Sequence, residues 1–304
     1  MQHKYLISII GPTAIGKTSK SIQLANYFSS EIISADSRQF FKEMKIGTAV
    51  PTTEELEAIP HHFIQHISIE ENYSVGDFER DAIQKINNLF QQHDKLFLVG
   101  GSGLYLKAIH EGLNEFPEVD PKIRTALNEE FQQKGIFPLQ EKLKKLDPEY
   151  AKKVDLENPH RVMRALEICL GSSHNYSYYL NKPPKKRDFK SIKIGLTAER
   201  EKIYERIELR VDLMMKDGLL EEAKKLYEYR NLNALNTVGY KELFSYLEGK
   251  YSLPEAISEI KKNTRRFAKR QLTWFRKDPE IKWFNYNSNV EEIINYIEQK
   301  TSSQ

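Results

Sequence analysis

Two textures alternate along this chain. Short apolar runs fall at residues 5–10, 31–36, 95–99 and 191–196, each ending near glycine, aspartate or threonine. Runs of that length read as strands buried on both faces, the signature of a parallel sheet. Between them the apolar spacing widens to three and four. Ser21, Ile22, Leu24, Ala25 and Phe28 predict a helix after Thr18, and the segment opening at 73–78 predicts another through Leu89-Phe90. Over 199–216, Ile203, Ile207, Val211 and Met214 share one helix face, and Asp217-Gly218 ends it. Ser252-Leu253-Pro254-Glu255 is a capping box with an early proline. Ile257, Ile260, Thr264, Phe267 and Gln271-Leu272 then follow at helical steps.

Strands alternating with helices predict an α/β fold built on a parallel sheet. One stretch breaks the alternation. From about Phe116 the chain reads as polar helices, at 121–134, 138–146, 148–154 and 160–166, before a basic loop at 183–187. This predicts a helical insertion, residues 116–188, inside a core made of 1–115 and 189–304.

Composition narrows the class without naming a function. The 304 residues are 39% hydrophobic and 29% charged, with 46 basic and 43 acidic residues giving a net charge of +3. No apolar run approaches the ~18 residues of a membrane span, and the first strand is too short for a signal peptide. The lone Cys169 precludes an intrachain disulfide and lies in the apolar stripe of Val162, Met163, Ala165, Leu166 and Ile168, where it reads as buried and inert. A cytoplasmic protein is expected, with no membrane partner and no obligate protein partner. The near-neutral total hides one charge run: Lys261, Lys262, Arg265, Arg266, Lys269, Arg270, Arg276 and Lys277 have no acidic residue among them, and Phe267, Trp274 and Phe275 are interleaved. Uncompensated, those charges favour an anionic partner, and a phosphodiester backbone fits.

The chemistry begins at the first strand's end. Gly11-Pro12-Thr13-Ala14-Ile15-Gly16-Lys17-Thr18 satisfies the phosphate-loop pattern G-x-x-x-x-G-K-[ST], between a strand and a helix as that loop requires. Backbone N–H groups and the helix N-terminus converge on a phosphate, Lys17 adds a point charge, and the Thr18 hydroxyl is placed for Mg²⁺. Alone, the loop suggests nucleotide or ATP binding and leaves open whose phosphate it holds. Asp36 stands at the carboxyl end of the second strand, where α/β proteins bind ligands, so it is expected to face the same crevice. Gly100-Gly101-Ser102-Gly103 is a second glycine turn at a strand's carboxyl end. Arg206 and Arg210, four apart on one helix, would suit a leaving diphosphate. His62 and His66 have the spacing of a helical metal pair, but Ile64, Ile67 and Ile69 predict an extended segment and no third ligand is near.

These residues and their surroundings resemble one family, the tRNA dimethylallyltransferases, also called tRNA isopentenylpyrophosphate transferases. The matching blocks, in family order, are GPTAIGKT at 11–18, ISADSRQFFKEMKIGTAVPT at 33–52, PHHFI at 60–64, YSVGDF at 73–78 and VGGSGLYLKA at 99–108. They continue with NPHRVMRALEI at 158–168, ERIELRVDLMMKDGL at 205–219, TVGYKEL at 237–243 and TRRFAKRQLTWFRKD at 264–278. The phosphate loop is widely shared; DSRQ together with TRRFAKRQLTWFR is specific. The resemblance implies a P-loop kinase-like core with a mobile helical insertion. It also implies transfer of a dimethylallyl group from its diphosphate to the exocyclic amine of the adenosine just 3′ of the anticodon in tRNA.

By the same resemblance Asp36 is the general base, Thr18 supports diphosphate and Mg²⁺, Arg210 is aimed at the diphosphate, and residues 11–18 hold it. Positions aligned with tRNA contacts are Asp36, Ser37, Arg38, Gln39, Ser102, Arg124, Arg161, Arg164, Val238 to Tyr240 with Gly239 between them, and Lys269 to Arg276, including Arg270 and Gln271. The chain departs from the family pattern at Ile15, at Phe40-Phe41-Lys42-Glu43 and at Gln65. Rival expectations are an adenylate isopentenyltransferase acting on free nucleotide, an ATP-dependent kinase, and an RNA-binding NTPase without group transfer. Beside Asp36 and Arg210, the loop is expected to hold a diphosphate that leaves.

Overall fold

The computed structural model describes residues 3–183 and 185–302; Pro184, within the expected basic loop, lies outside the described residues. In chain order the elements are β1 (Tyr5–Ile10), α1 (Lys17–Tyr27), β2 (Ile32–Ser34), α2 (Thr53–Ala58), β3 (His61–His62), α3 (Val75–Leu89), β4 (Lys95–Gly100) and α4 (Gly103–Glu111). Next come α5 (Pro121–Lys134), α6 (Phe137–Leu146), α7 (Pro148–Ala151), α8 (Pro159–Gly171) and α9 (Tyr176–Leu180). The chain ends with β5 (Lys190–Thr197), α10 (Arg200–Lys216), α11 (Leu219–Leu226), α12 (Tyr240–Leu247), α13 (Leu253–Phe275), β6 (Lys282–Asn285) and α14 (Val290–Ser302).

One parallel sheet, ordered β3-β2-β4-β1-β5-β6, organises the core. All six residues of β1 are buried, as a central parallel strand requires when helices cover both faces. Its side chains alternate between two apolar clusters: Leu6 and Ile10 join Leu96, Leu98 and Ile33 on one face, while Ile7 and Ile9 join Phe97, Ile192 and Ile194 on the other. β1 pairs with β4 in a register that sets Ile10 beside Gly100. Both glycine turns therefore leave the sheet from neighbouring positions at its carboxyl edge, where open α/β sheets bind ligands.

The chain forms two compact units, 1–110 with 187–304 and, separately, 111–186; the expected insertion was drawn at 116–188. The second unit is helical and has its own core of Leu127, Leu139, Leu143, Val162 and Leu166. Buried Asp147 stitches it internally, accepting from the backbone and hydroxyl of Ser177 at 2.7 Å each and capping α7 through the Tyr150 N–H at 3.0 Å. Cys169 departs from expectation: it is half-buried, and the burial it does have raises its thiol pKa, which keeps it protonated.

Several elements differ from the pattern's prediction. The strand expected at 31–36 has only three residues, Ile32–Ser34, so Asp36 lies in the turn beyond it. α7 stops at Ala151 rather than 154. β6 and α14 had no clear signature: β6 is a half-exposed edge strand, so its apolar residues show no clean alternation.

Candidate active site

The phosphate loop is shaped by three residues with positive φ, Gly11 (148°), Ala14 (64°) and Gly16 (100°). Gly11 has a second constraint, since a Cβ there would lie 2.5 Å from the Leu196 carbonyl oxygen on β5. Gly16 caps α1 and turns that helix's free N–H groups toward the loop. Lys17 folds inward, donating to the carbonyls of Gly11 at 3.1 Å and Pro12 at 2.9 Å. Burial, offset in part by Asp36 and reinforced by Arg210, lowers its pKa to about 8.

α10 supplies both expected arginines. Arg206 Nε donates to the Ala14 carbonyl at 2.8 Å, and its guanidinium lies 5.3 Å from the Tyr286 ring centroid. Arg210 donates to the Thr13 hydroxyl at 3.1 Å, and burial lowers its pKa while Asp36 raises it. From α13, Gln271 bridges the two glycine turns: its amide oxygen accepts from the Thr13 N–H at 2.9 Å and its amide nitrogen donates to the Gly101 carbonyl at 3.0 Å. A Cβ on Gly101 would lie 2.3 Å from that amide nitrogen. Gln271, among the positions expected at the tRNA side, is buried, joins the two turns through both ends of its amide and lines both cavities of the site.

Two cavities open here, of about 460 and about 550 Å³. The first is lined by Lys17 and Thr18 and, on its apolar side, by Val50, Ile64, Leu209 and Leu213. The second is lined by Ser102, Val238, Gly239, Arg270 and Trp274. Asp36 lines both, as do Thr13, Thr48, Ala49, Arg210, Phe267 and Gln271. Leu209 and Leu213 are 60% and 49% exposed on α10, and Trp274 is 42% exposed on α13. Apolar surface left open along a crevice marks where a ligand is to be covered.

The remaining expected residues divide into groups. Ser37 and Ser102 meet, hydroxyl to hydroxyl, at 3.2 Å, joining the turn after β2 to the second glycine turn. Arg38 donates to the carbonyls of Asn233 and Ala234, at 3.0 and 2.8 Å, while the Gln39 amide donates to those of Thr48 and Ala49 at 3.2 and 2.9 Å. Both side chains therefore brace loops around Asp36. Arg124, Arg161 and Arg164 belong to the helical unit, where Arg124 and Arg164 share the Glu167 carboxylate at 3.4 and 2.9 Å and Arg161 is exposed.

The basic helix is less bare than its sequence suggests. Lys261 pairs with Asp212 at 2.7 Å, Lys262 with Glu259 at 2.8 Å and Arg265 with Glu208 at 2.6 Å. Partners one helical turn back and on α10 lie outside the 261–277 window, which is why the run looked uncompensated. Arg266, Lys269, Arg270, Arg276 and Lys277 are exposed, and among the described residues no ion pair engages them.

The departures from the family pattern also have places. Ile15 is buried in the sheet's second cluster. Glu43 accepts from the Ser68 hydroxyl at 2.8 Å and the Ile69 N–H at 3.0 Å, and Gln65 donates to the Lys42 carbonyl at 2.8 Å. The histidines go separate ways: His62 bonds Glu31 at 2.6 Å, whereas His66 packs edge-on against Phe40, Phe63 and Tyr73.

A family model described as IPP transferase matches residues 39–278. The chain belongs to that family. Among family relatives, a tRNA dimethylallyltransferase of Christiangramia forsetii is 64% identical over 98% of this chain and 99% of its own length. One from Flavobacterium johnsoniae is 57% identical over 99% of each chain. Among solved structures, a tRNA isopentenylpyrophosphate transferase of Bacillus halodurans superposes with a TM-score of 0.74 at 39% identity, covering 99% of this chain and 97% of that one. A eukaryotic dimethylallyltransferase described as acting on tRNA gives 0.84 at 28% identity, covering 99% and 80%.

Proposed function

We propose that this member of the IPP transferase family is a tRNA dimethylallyltransferase. It transfers the dimethylallyl group of dimethylallyl diphosphate to the exocyclic amine of the adenosine 3′-adjacent to the anticodon. The observation that carries this reading is the position of Asp36, which lines both the phosphate-loop cavity and the cavity rimmed by Arg270 and Trp274. Here an apolar lip of Leu209, Leu213 and Ile64 accompanies the phosphate site, which suits a hydrocarbon carried on a diphosphate.

The diphosphate binds the loop N–H groups, Lys17, Arg206 and Arg210, which gain strength as negative charge collects on it during C–O cleavage. The prenyl chain lies on the apolar lip. The target base is flipped from the anticodon stack into the second cavity, where Trp274 offers a stacking face and Arg270 a phosphate contact. As the amine nitrogen bonds to the allyl carbon, the bond to the diphosphate oxygen breaks and the amine proton passes to the Asp36 carboxylate.

Mg²⁺ fits this donor set. The Thr18 hydroxyl and the carboxylates of Asp36 and Glu55 line the phosphate cavity. Among the described residues there is no cluster of three or more His, Cys, Asp or Glu that would cage a metal. A few hard oxygen donors, with substrate phosphates completing the shell, suit magnesium. Thr18 would hold it, with the Asp36 carboxylate left to take the amine proton, and when bound it would supply charge neutralisation for the departing diphosphate. Among the described residues no helix is long and apolar enough to cross a membrane.

The test supplies dimethylallyl diphosphate and Mg²⁺ with tRNA, AMP or ATP. Prenylated tRNA supports the reading. Prenylated AMP would assign the free-nucleotide chemistry instead, and ATP turnover alone a kinase or NTPase.

A further inference from the structure

Glu222, on α11, lines neither cavity, yet its carboxylate gathers four donors. Oε2 accepts from the N–H groups of Lys45 at 3.0 Å and Ile46 at 2.8 Å; Oε1 accepts from the Gly47 N–H at 2.9 Å and the Tyr240 hydroxyl at 2.6 Å. Tyr240 is fully buried, and its ring lies so close to Gly47 that a Cβ there would fall 2.6 Å from the phenol. The turn held this way leads into Thr48 and Ala49, which line both cavities. Their carbonyls are held from the other side by Gln39, whose own N–H donates to the Asp36 carbonyl at 3.0 Å. Ala49 itself has φ of 50°, a conformation that persists only where its surroundings impose it. Tyr240 directly follows Gly239, which belongs to the second cavity. One carboxylate thus joins the wall shared by both cavities to another wall of the second.

We propose that Glu222 is a positioning residue for prenyl transfer, setting the distance between the allyl carbon and the attacking amine through the 45–49 turn. The inference rests on the functional reading above. Removing the carboxylate leaves three N–H groups and a buried hydroxyl without their acceptor, so the turn relaxes toward other partners. A displacement near 1 Å at a reacting pair costs about 100-fold in rate.

The experiment compares Glu222→Ala, Glu222→Gln and Tyr240→Phe with the unaltered protein, using tRNA, dimethylallyl diphosphate and Mg²⁺ well below each melting temperature. Diphosphate released and prenyl group transferred are both counted. A misplaced amine leaves the allyl carbon to water, which takes it as the alcohol while diphosphate departs and a proton goes to solvent. The expected result for Glu222→Gln is a kcat lowered about 10- to 100-fold, KM for both substrates within about threefold, and more diphosphate released per group transferred. Tyr240→Phe removes one donor and keeps the others paired, so its loss is smaller. Glu222→Ala exceeds Glu222→Gln in both effects, and if it does not fold the other two variants carry the test.

Wild-type kcat and release ratio in a Glu222→Gln protein whose melting temperature has fallen would make Glu222 a structural brace alone. A raised KM with unchanged kcat would also overturn the inference. Failure of the unaltered protein to prenylate tRNA would overturn the functional reading and this inference with it.

Discussion

Lys17 carries the site's most direct pH signature. Burial holds its pKa near 8, and it is the protonated form that attracts diphosphate. In the free enzyme that charge is present below about pH 8 and lost as pH rises through it. We expect kcat/KM for dimethylallyl diphosphate to fall with a midpoint near pH 8, and Lys17→Arg to move that limb well above it. An unchanged limb in Lys17→Arg would assign the titration elsewhere. His110 gives a signature in stability instead. Its imidazole lies between the hydroxyls of Ser8 at 2.6 Å and Ser191 at 2.8 Å. Burial first, then Lys193, depresses its pKa from 6.5 to about 3, against the opposing pull of Asp278. The unfolded chain takes up this proton below pH 6.5 and the folded chain does not, so His110's contribution is full above 6.5 and declines as pH falls toward 3. The slope is at most about 1.4 kcal/mol per pH unit. Denaturant melts between pH 4 and 7 should show a shallower acid decline for His110→Gln; parallel curves would contradict the assignment.

Among the elements, α13 has two faces with different work. Toward the core it sends Gln271 into the glycine turns, and Trp274 packs so near Gly103 that a Cβ there would meet its ring nitrogen at 2.3 Å. Outward it presents Arg266, Lys269, Arg270, Arg276 and Lys277. Ion pairing separates these from Lys262, whose charge is already met by Glu259. Each phosphate contact contributes about one to the slope of log affinity against log salt. Replacing Lys269 and Arg276 with Gln should therefore lower the salt slope of tRNA binding by about two. Lys262→Gln should leave it nearly unchanged. Equal effects would mean that the helix acts through bulk charge.

At the scale of the whole molecule, what was legible in the sequence follows from how local its cause is. The phosphate loop, the capping box at Ser252 and the helix 121–134 rest on neighbours within a few residues, and each lies where the pattern put it. Asp36 could be aimed at the crevice because strand ends and ligands coincide in parallel sheets. What long-range contact decides was hidden: Gln271 reaching a loop 258 residues away, Glu222 gathering the 45–47 turn, and acids on α10 answering the bases of α13. The edge strand β6 was missed because half its surface faces solvent. These distant contacts converge on one arrangement, a single carboxylate at the boundary of two cavities. Single-turnover prenyl transfer by Asp36→Asn, with tRNA and diphosphate affinities measured in parallel, tests it most directly. Transfer is expected to fall at least about 100-fold while both affinities stay within about threefold of the unaltered protein. Transfer at the unaltered rate, or a loss explained wholly by weakened binding, would contradict it.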